Sequence, residues 1–162
     1  MSHYQSFPYY ALVTVRHKHS KRPTRRSRLK LELIMMDGQE LQKIADDYAI
    51  DLPCANLEHH FGADWHLYKV RGKIFMLMTT LPGHPIAILK ADPDDATALR
   101  EQYAEITPGY HMDHMHWITV AGGGTIGEKM LKRLVLDSYR LVVATLPRPD
   151  QPVDPYTYEH HA

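Results

Sequence analysis

Cysteine is all but missing from the 162 residues, with Cys54 standing alone. No internal disulfide can form, and a chain of this length can bury a core without one. A reducing, cytoplasmic setting is the default that follows. Long apolar runs are missing too. None reaches the roughly 20 residues that a membrane-spanning helix requires, so the expectation is a soluble protein with no membrane partner. The apolar stretch Tyr9 to Val15 precedes the basic cluster instead of following it and has no small-residue cleavage site behind it, which argues against a secretory signal. Acid is scarce at the start. Residues 1–34 hold Arg16, Lys18, Lys21, Arg22, Arg25, Arg26, Arg28 and Lys30 against the single Glu32, which leaves eleven basic against eighteen acidic side chains in the remainder. The zero net charge of the whole therefore hides a basic head and an acidic body, and the body has the wrong overall sign for phosphate.

The head has little apolar periodicity in its centre and is expected to be disordered. Three readings stand beside one another: a nucleic-acid-binding arm, an organelle transit peptide, and an upstream extension of no folding consequence. The last is favoured, because Met35 and Met36 stand directly before the first clear element.

That element is a helix. Asp37 with Glu40 forms a capping box, and Leu41, Ile44, Ala45 and Tyr48 share a face that ends near Ala49. Leu52 to Gly62 reads as a loop. From Trp65 the period changes to two: Trp65–Val70 and Ile74–Thr80 are strands joined by Arg71-Gly72, and a Pro82-Gly83 turn returns the chain through Ile86–Lys90. Asp92-Pro93-Asp94-Asp95 starts a second helix with Ala96, Leu99 and Tyr103 inward. After Pro108-Gly109, strand alternation resumes over His116–Val120 and ends at Gly122-Gly123-Gly124. Thr125 with Glu128 is a second capping box, opening a helix whose stripe is Leu131, Leu134, Val135, Leu141 and Val142. Pro147, Pro149, Pro152 and Pro155 make the end a non-helical appendage. The order predicts an α+β fold: an antiparallel β-sheet with helices packed on one face. Its parts are a basic extension (1–34), one domain (35–147) and a proline-rich tail (148–162).

The run from about Met36 to Pro147 resembles the MmcQ/YjbR family. The matching pieces are Leu52-Pro53 with Glu58 and Phe61-Gly62, Gly72-Lys73 with Phe75, Leu89-Lys90 with Asp92-Pro93, and Leu99-Arg100-Glu101 with Tyr103. They continue through Pro108-Gly109-Tyr110-His111-Met112, His116-Trp117 with Thr119-Val120, and Ser138-Tyr139 with Leu141 to Ala144 and Leu146-Pro147. The resemblance implies a CyaY/frataxin-like arrangement and a small DNA-binding module with no defined reaction, no catalytic residues and no cofactor. Two places depart from the family pattern. Asp113-His114-Met115 stand where an asparagine and basic residues are usual, and Cys54 and His60 stand where glycine and proline are expected.

Read for chemistry, the residues offer two sites. Lys69, Arg71 and Lys73 alternate along the first hairpin and bracket its tip, where they could touch phosphates while Tyr68 stacks on a base; binding to DNA would then be weak and non-specific. The alternative is a metal- or small-ligand-binding protein using His111, His114 and His116. Imidazole suits zinc, nickel or copper, and an extended strand would turn His114 and His116 to one side. The bland counterpart gives these histidines to the turn and packs Trp117 on the last helix. His59, His60 and His66 read as surface histidines, and Glu40, Asp46, Asp47 and Asp51 as a solvated face, not an iron-binding ridge. Cys54 is expected to be buried and Ser138 to pack a helix, neither with an activating base. The three glycines lack the lysine of a phosphate loop and read as a turn. A protein-protein adaptor is the remaining alternative.

Overall fold

The structure, a computed structural model, describes residues 24–26, 35–59, 64–81 and 83–161. The chain divides into two compact units, Met1–Ile34 and Met35–Ala162. The expectations for the head, for His60, for Phe61-Gly62 and for Pro82 lie outside the described residues, apart from Thr24 to Arg26.

The second unit runs α1 (Gly38–Ile50), β1 (Ala55–His59), β2 (Trp65–Val70), β3 (Lys73–Leu81), β4 (His84–Lys90), α2 (Pro93–Gln102), β5 (Ile106–Pro108), β6 (Trp117–Ala121), α3 (Glu128–Ala144) and a short 3-10 turn, Arg148–Asp150. All pairings are antiparallel, in the order β1-β2-β3-β4-β6-β5. This is the α+β architecture expected, with the central meander in place and two more strands at the edges. No helix among the described residues is long and apolar enough to cross a membrane.

Local chemistry accounts for the elements. Asp37 accepts the Glu40 amide at 2.8 Å and Asp92 the Asp94 amide at 3.0 Å, so both helix starts are capped by the residues that predicted them. The β2–β3 turn has Arg71 at φ 49° and Gly72 at φ 80°, the two positive values that a two-residue hairpin needs to match strand twist. A bulge then shifts the register: Tyr68 faces Met76 while Lys69 faces Ile74, leaving Phe75 without a partner in register. Its carbonyl takes the hydroxyl of Ser138 on α3, and that hydroxyl in turn accepts the Lys90 amide at 2.8 Å. One buried oxygen thus ties α3 to two strands.

The register defines two faces. The Tyr68 hydroxyl donates to Asp46 of α1 at 2.5 Å, and the Phe75 ring meets Tyr139 of α3 edge-on at 5.4 Å. The row Tyr68, Met76, Leu89, Ile118 therefore lies under the helices. The row Leu67, Leu77, Ile88, Thr119 lies on the other side, where Leu67, Leu77, Ile86 and Ile88 form a second buried cluster with Trp65, Ile74, Leu81, Met112, Trp117 and Ala121 around it.

Five expectations are corrected. The loop over 52–62 contains an edge strand, β1, whose register with β2 runs from Ala55–Val70 to His59–His66. A short strand, β5, runs up to Pro108, ahead of Gly109. The capping box at Thr125 does not form. Gly127 is the cap residue, and Glu105, from the segment before β5, accepts the Ile126 amide at 2.9 Å instead. Trp117 packs on the face away from α3, because it is the register partner of Lys90 in the outer row. In α3, Leu141 is only half-buried while Leu136, Ser138, Tyr139 and Arg140 are buried. The tail explains this: Arg140 donates to the carbonyls of Pro155 at 2.7 Å and Tyr156 at 2.8 Å and pairs with Glu159, so the proline-rich end lies along α3.

Candidate functional site

The hairpin residues do not converge. In a two-residue hairpin Val70 opposes Lys73, so Lys69 and Lys73 belong to opposite faces. Lys69 turns to the outer face and pairs with Glu58. Lys73 turns to the helix side, where its ammonium reaches the Thr145 hydroxyl at 3.3 Å beyond the end of α3. Arg71 stands exposed at the tip, in the turn itself. Tyr68 cannot stack on a base: it is fully buried, and burial together with its bond to Asp46 holds the phenol well above its usual titration range.

The three histidines are not brought together either. Residues 109–116 form a turn, not a strand. The Met112 amide bonds the Gly109 carbonyl, and the His116 and Trp117 amides both bond the Asp113 carbonyl. His111 sits at φ 58° with its ring against Tyr110, His114 points its carbonyl at Arg100, and His116 Nδ1 meets Asp113 Oδ2 at 2.6 Å. Extended backbone would turn Asp113 away from His114 and His116; the turn instead brings its carboxylate to the His116 ring. The Met115 amide and the His116 ring together hold the Asp113 carboxyl below the usual carboxylate range. Among the described residues no group of three or more His, Cys, Asp or Glu is placed to hold a metal ion. Cys54, expected to be buried, is exposed, and its φ of 57° is the left-handed conformation that glycine takes most readily. Asp46 and Asp47 on the first helix and Asp51 at its C-terminal cap are engaged with Tyr68, Lys43 and His160.

What the fold does assemble is the outer sheet face. Thr119, in the row facing away from the helices, accepts the Tyr110 amide at 2.9 Å through its hydroxyl and donates to the Pro108 carbonyl at 3.2 Å. That pins the 109–116 turn over the sheet. Tyr110 then lies parallel to Trp65, ring centres 6.4 Å apart and planes 11° from parallel, with Tyr110 37% exposed. On the same face Lys90 sits 5.9 Å from the centre of the Trp117 ring. Met115, 63% exposed, ends the turn. Both tryptophans of the protein are thus on one face, with Lys69 and Lys90 in its rows and His84, His111 and His114 exposed around it. Of the acids beside it, Glu58 and Asp113 are each held by a basic partner, and Asp64 stands exposed just before Trp65. Most other acids belong to the helices, their caps and the tail. Strand alternation alone could have found Lys90, since Ile86, Ile88 and Lys90 fall on one side of β4. The stacking of Tyr110 on Trp65 has no signal in sequence spacing.

Comparison with known proteins places this arrangement in context. A family model described as YjbR matches residues 50–141, from the end of α1 into α3, and so takes in the whole sheet. The chain is 42% identical over 116 residues to the Uncharacterized protein YbdF of Escherichia coli O157:H7, covering 72% of this chain and 95% of that protein. It is 31% identical over 86 residues to the Uncharacterized protein YjbR of E. coli K12, covering 52% and 73%. Among solved structures, the Deinococcus radiodurans protein DR2400, described by the domain DUF419, matches with TM-score 0.64 and 25% identity over 80% of this chain and 99% of that one. A Pseudomonas syringae protein matches with TM-score 0.55 and 28% identity over 62% and 95%.

Proposed function

The chain belongs to the YjbR family, and from that premise we propose a binding module without a reaction of its own, which takes nucleic acid weakly and without sequence preference on the outer face of its sheet. The observation that carries this is what the outer face holds: Trp65, Tyr110 and Trp117 stand on it with Lys69 and Lys90, while most acids belong to the helix side. Single strands suit such a face better than duplex. A base can stack on Tyr110 or Trp117 whatever its identity, while Lys69, Lys90 and Arg71 follow the backbone. The acidic body supplies no long-range attraction, so contacts at the face must carry the affinity.

The test uses the two tryptophans as reporters. Titrating a short single-stranded oligonucleotide into the full chain at about 50 mM salt is expected to quench tryptophan fluorescence, and three phosphate contacts on a single strand give a slope of log K against log salt near −2. Lys90→Ala should weaken binding more than Lys73→Ala, because Lys73 belongs to the helix side. Binding that resists Lys90→Ala and Tyr110→Ala, or that leaves both tryptophans unquenched, would remove the face from consideration and return the basic residues of 1–34 as the contact. No binding at all would favour a protein partner.

A further inference from the structure

A second constellation lies on the other side of the sheet, near the opposite edge, and does not depend on the nucleic-acid reading. β1 and β2 set His59 directly opposite His66, and their rings meet edge to face with centres 4.8 Å apart. Strand alternation places His66 one residue from Leu67, hence on the helix side, and its register partner on β3 is Met78. His59 is exposed and His66 half-buried, so ions can reach both.

The spacing decides what the pair can do. Two imidazoles that share one ion, each nitrogen about 2.0–2.1 Å from it, have ring centres about 5 Å apart at a tetrahedral or cis-planar angle. The observed separation matches that span, and backbone pairing between the two strands is what stands the two side chains opposite each other. A turn of one ring about its Cβ–Cγ bond brings both edges to a common point at little cost, since terminal sp3–sp2 torsions are broad. Imidazole favours late first-row ions, and the order of affinities in that series puts copper above zinc and nickel; the thioether of Met78 on the next strand adds a soft neighbour. Neither magnesium nor calcium accepts such a donor set.

We propose that His59 and His66 form a two-imidazole site for a late first-row transition metal, with copper bound most tightly, clamping the edge strand β1 to β2. The chelate bridges two strands, so occupancy should also slow hydrogen exchange in β1.

The experiment is a competitive titration of the full chain with Cu(II) and Zn(II), with His160 and His161 replaced by asparagine throughout so that the adjacent tail pair does not report. The expected result is a site that binds copper more tightly than zinc and is weakened by at least the 10–100-fold typical of losing even an outer-shell partner, in both His59→Asn and His66→Asn. His66→Phe separates a ligand from a ring that merely packs: it keeps the cross-strand aromatic contact and the fold but should lose the metal and the added protection of β1. If either asparagine variant leaves the tightest copper site within about threefold of the parent, or if His66→Phe still binds, the proposal is overturned.

Discussion

Replacing Ser138 with alanine should destabilise the protein far more than the loss of one small hydroxyl suggests. Ser138 is fully buried, and its oxygen serves two backbone groups at once: it donates to the Phe75 carbonyl, which the bulge in β3 leaves out of register, and accepts the Lys90 amide at the end of β4. Alanine fills nearly the same volume, so cavity formation is a minor cost. The main cost is two deserted backbone groups in an interior that water does not reach. At roughly 1–3 kcal/mol for each unsatisfied buried group, and less for a carbonyl than for an amide, the sum is about 2–4 kcal/mol. The assay is urea unfolding followed by circular dichroism, with the midpoint shifted and the slope unchanged. For a protein of this size that corresponds to a melting point lower by roughly 4–16 °C. A loss under about 0.5 kcal/mol would refute the bridge, because it would mean that both groups find other partners as soon as the hydroxyl is gone.

Three further outcomes follow from the packing. Gly122→Ala would place a methyl 2.3 Å from the Gly38 nitrogen and 2.4 Å from the Asp37 carbonyl carbon, both backbone at the start of α1, so a loss at or above the roughly 1–3 kcal/mol usual for overpacking is expected in thermal unfolding. Arg140→Ala removes the donor that holds the Pro155 and Tyr156 carbonyls and leaves Glu159 only its pairing with Arg133; the tail should then become cleavable by limited proteolysis while the sheet stays folded, and an unchanged digestion pattern would count against its anchoring. Burial pushes the Tyr48 phenol up to about 12 and raises those of Tyr68 and Tyr139 as well, so the folded state keeps protons that the unfolded chain has already lost above a pH of about 10. Stability should fall as pH rises from about 10 through about 12, read by denaturant midpoints across that window, and Tyr48→Phe should flatten the fall.

The parts of this fold that were legible in the sequence are those with local causes. The two acidic caps, the Arg71-Gly72 turn and the period-two runs on either side of it each act over a few residues, and each reappears in the structure. The misses have non-local causes. β1 reads Ala-Asn-Leu-Glu-His, with one large apolar residue in five, because an edge strand is paired on one side only and needs no apolar alternation to be held. The start of α3 was misplaced because Glu105, which arrives from a different part of the chain, takes the Thr125 hydroxyl and the Ile126 amide. The grouping of Lys69 with Lys73 failed for a reason that was available: a two-residue turn makes Lys73 the partner of Val70, and that fact alone separates the lysines by face. Tyr110 on Trp65 was beyond reach, since it depends on Thr119 pinning a turn across the sheet.

The interval Asp113 to Met115 can now be weighed for what it does to the outer face. Asp113 has two duties that pull apart: its oxygens hold the Met115 amide and the His116 ring, which keeps the turn folded, and its charge opposes any polyanion on the face. Asparagine separates them, since its carbonyl oxygen can still accept the Met115 amide while the charge is gone. If the face takes nucleic acid, Asp113→Asn should tighten single-strand binding severalfold at low salt, with the gain vanishing as salt screens it. Asp113→Ala should lose the turn and with it the stacking of Tyr110 on Trp65, so its affinity should fall despite the same change in charge. Acid should act in the same sense as alanine. The carboxyl is held below its ordinary range, so the support it gives the turn is full above that range and is lost as pH falls through the folded value. Equal affinities for the asparagine and alanine variants would mean that the turn contributes nothing to binding, and the outer face would then have to work without Tyr110.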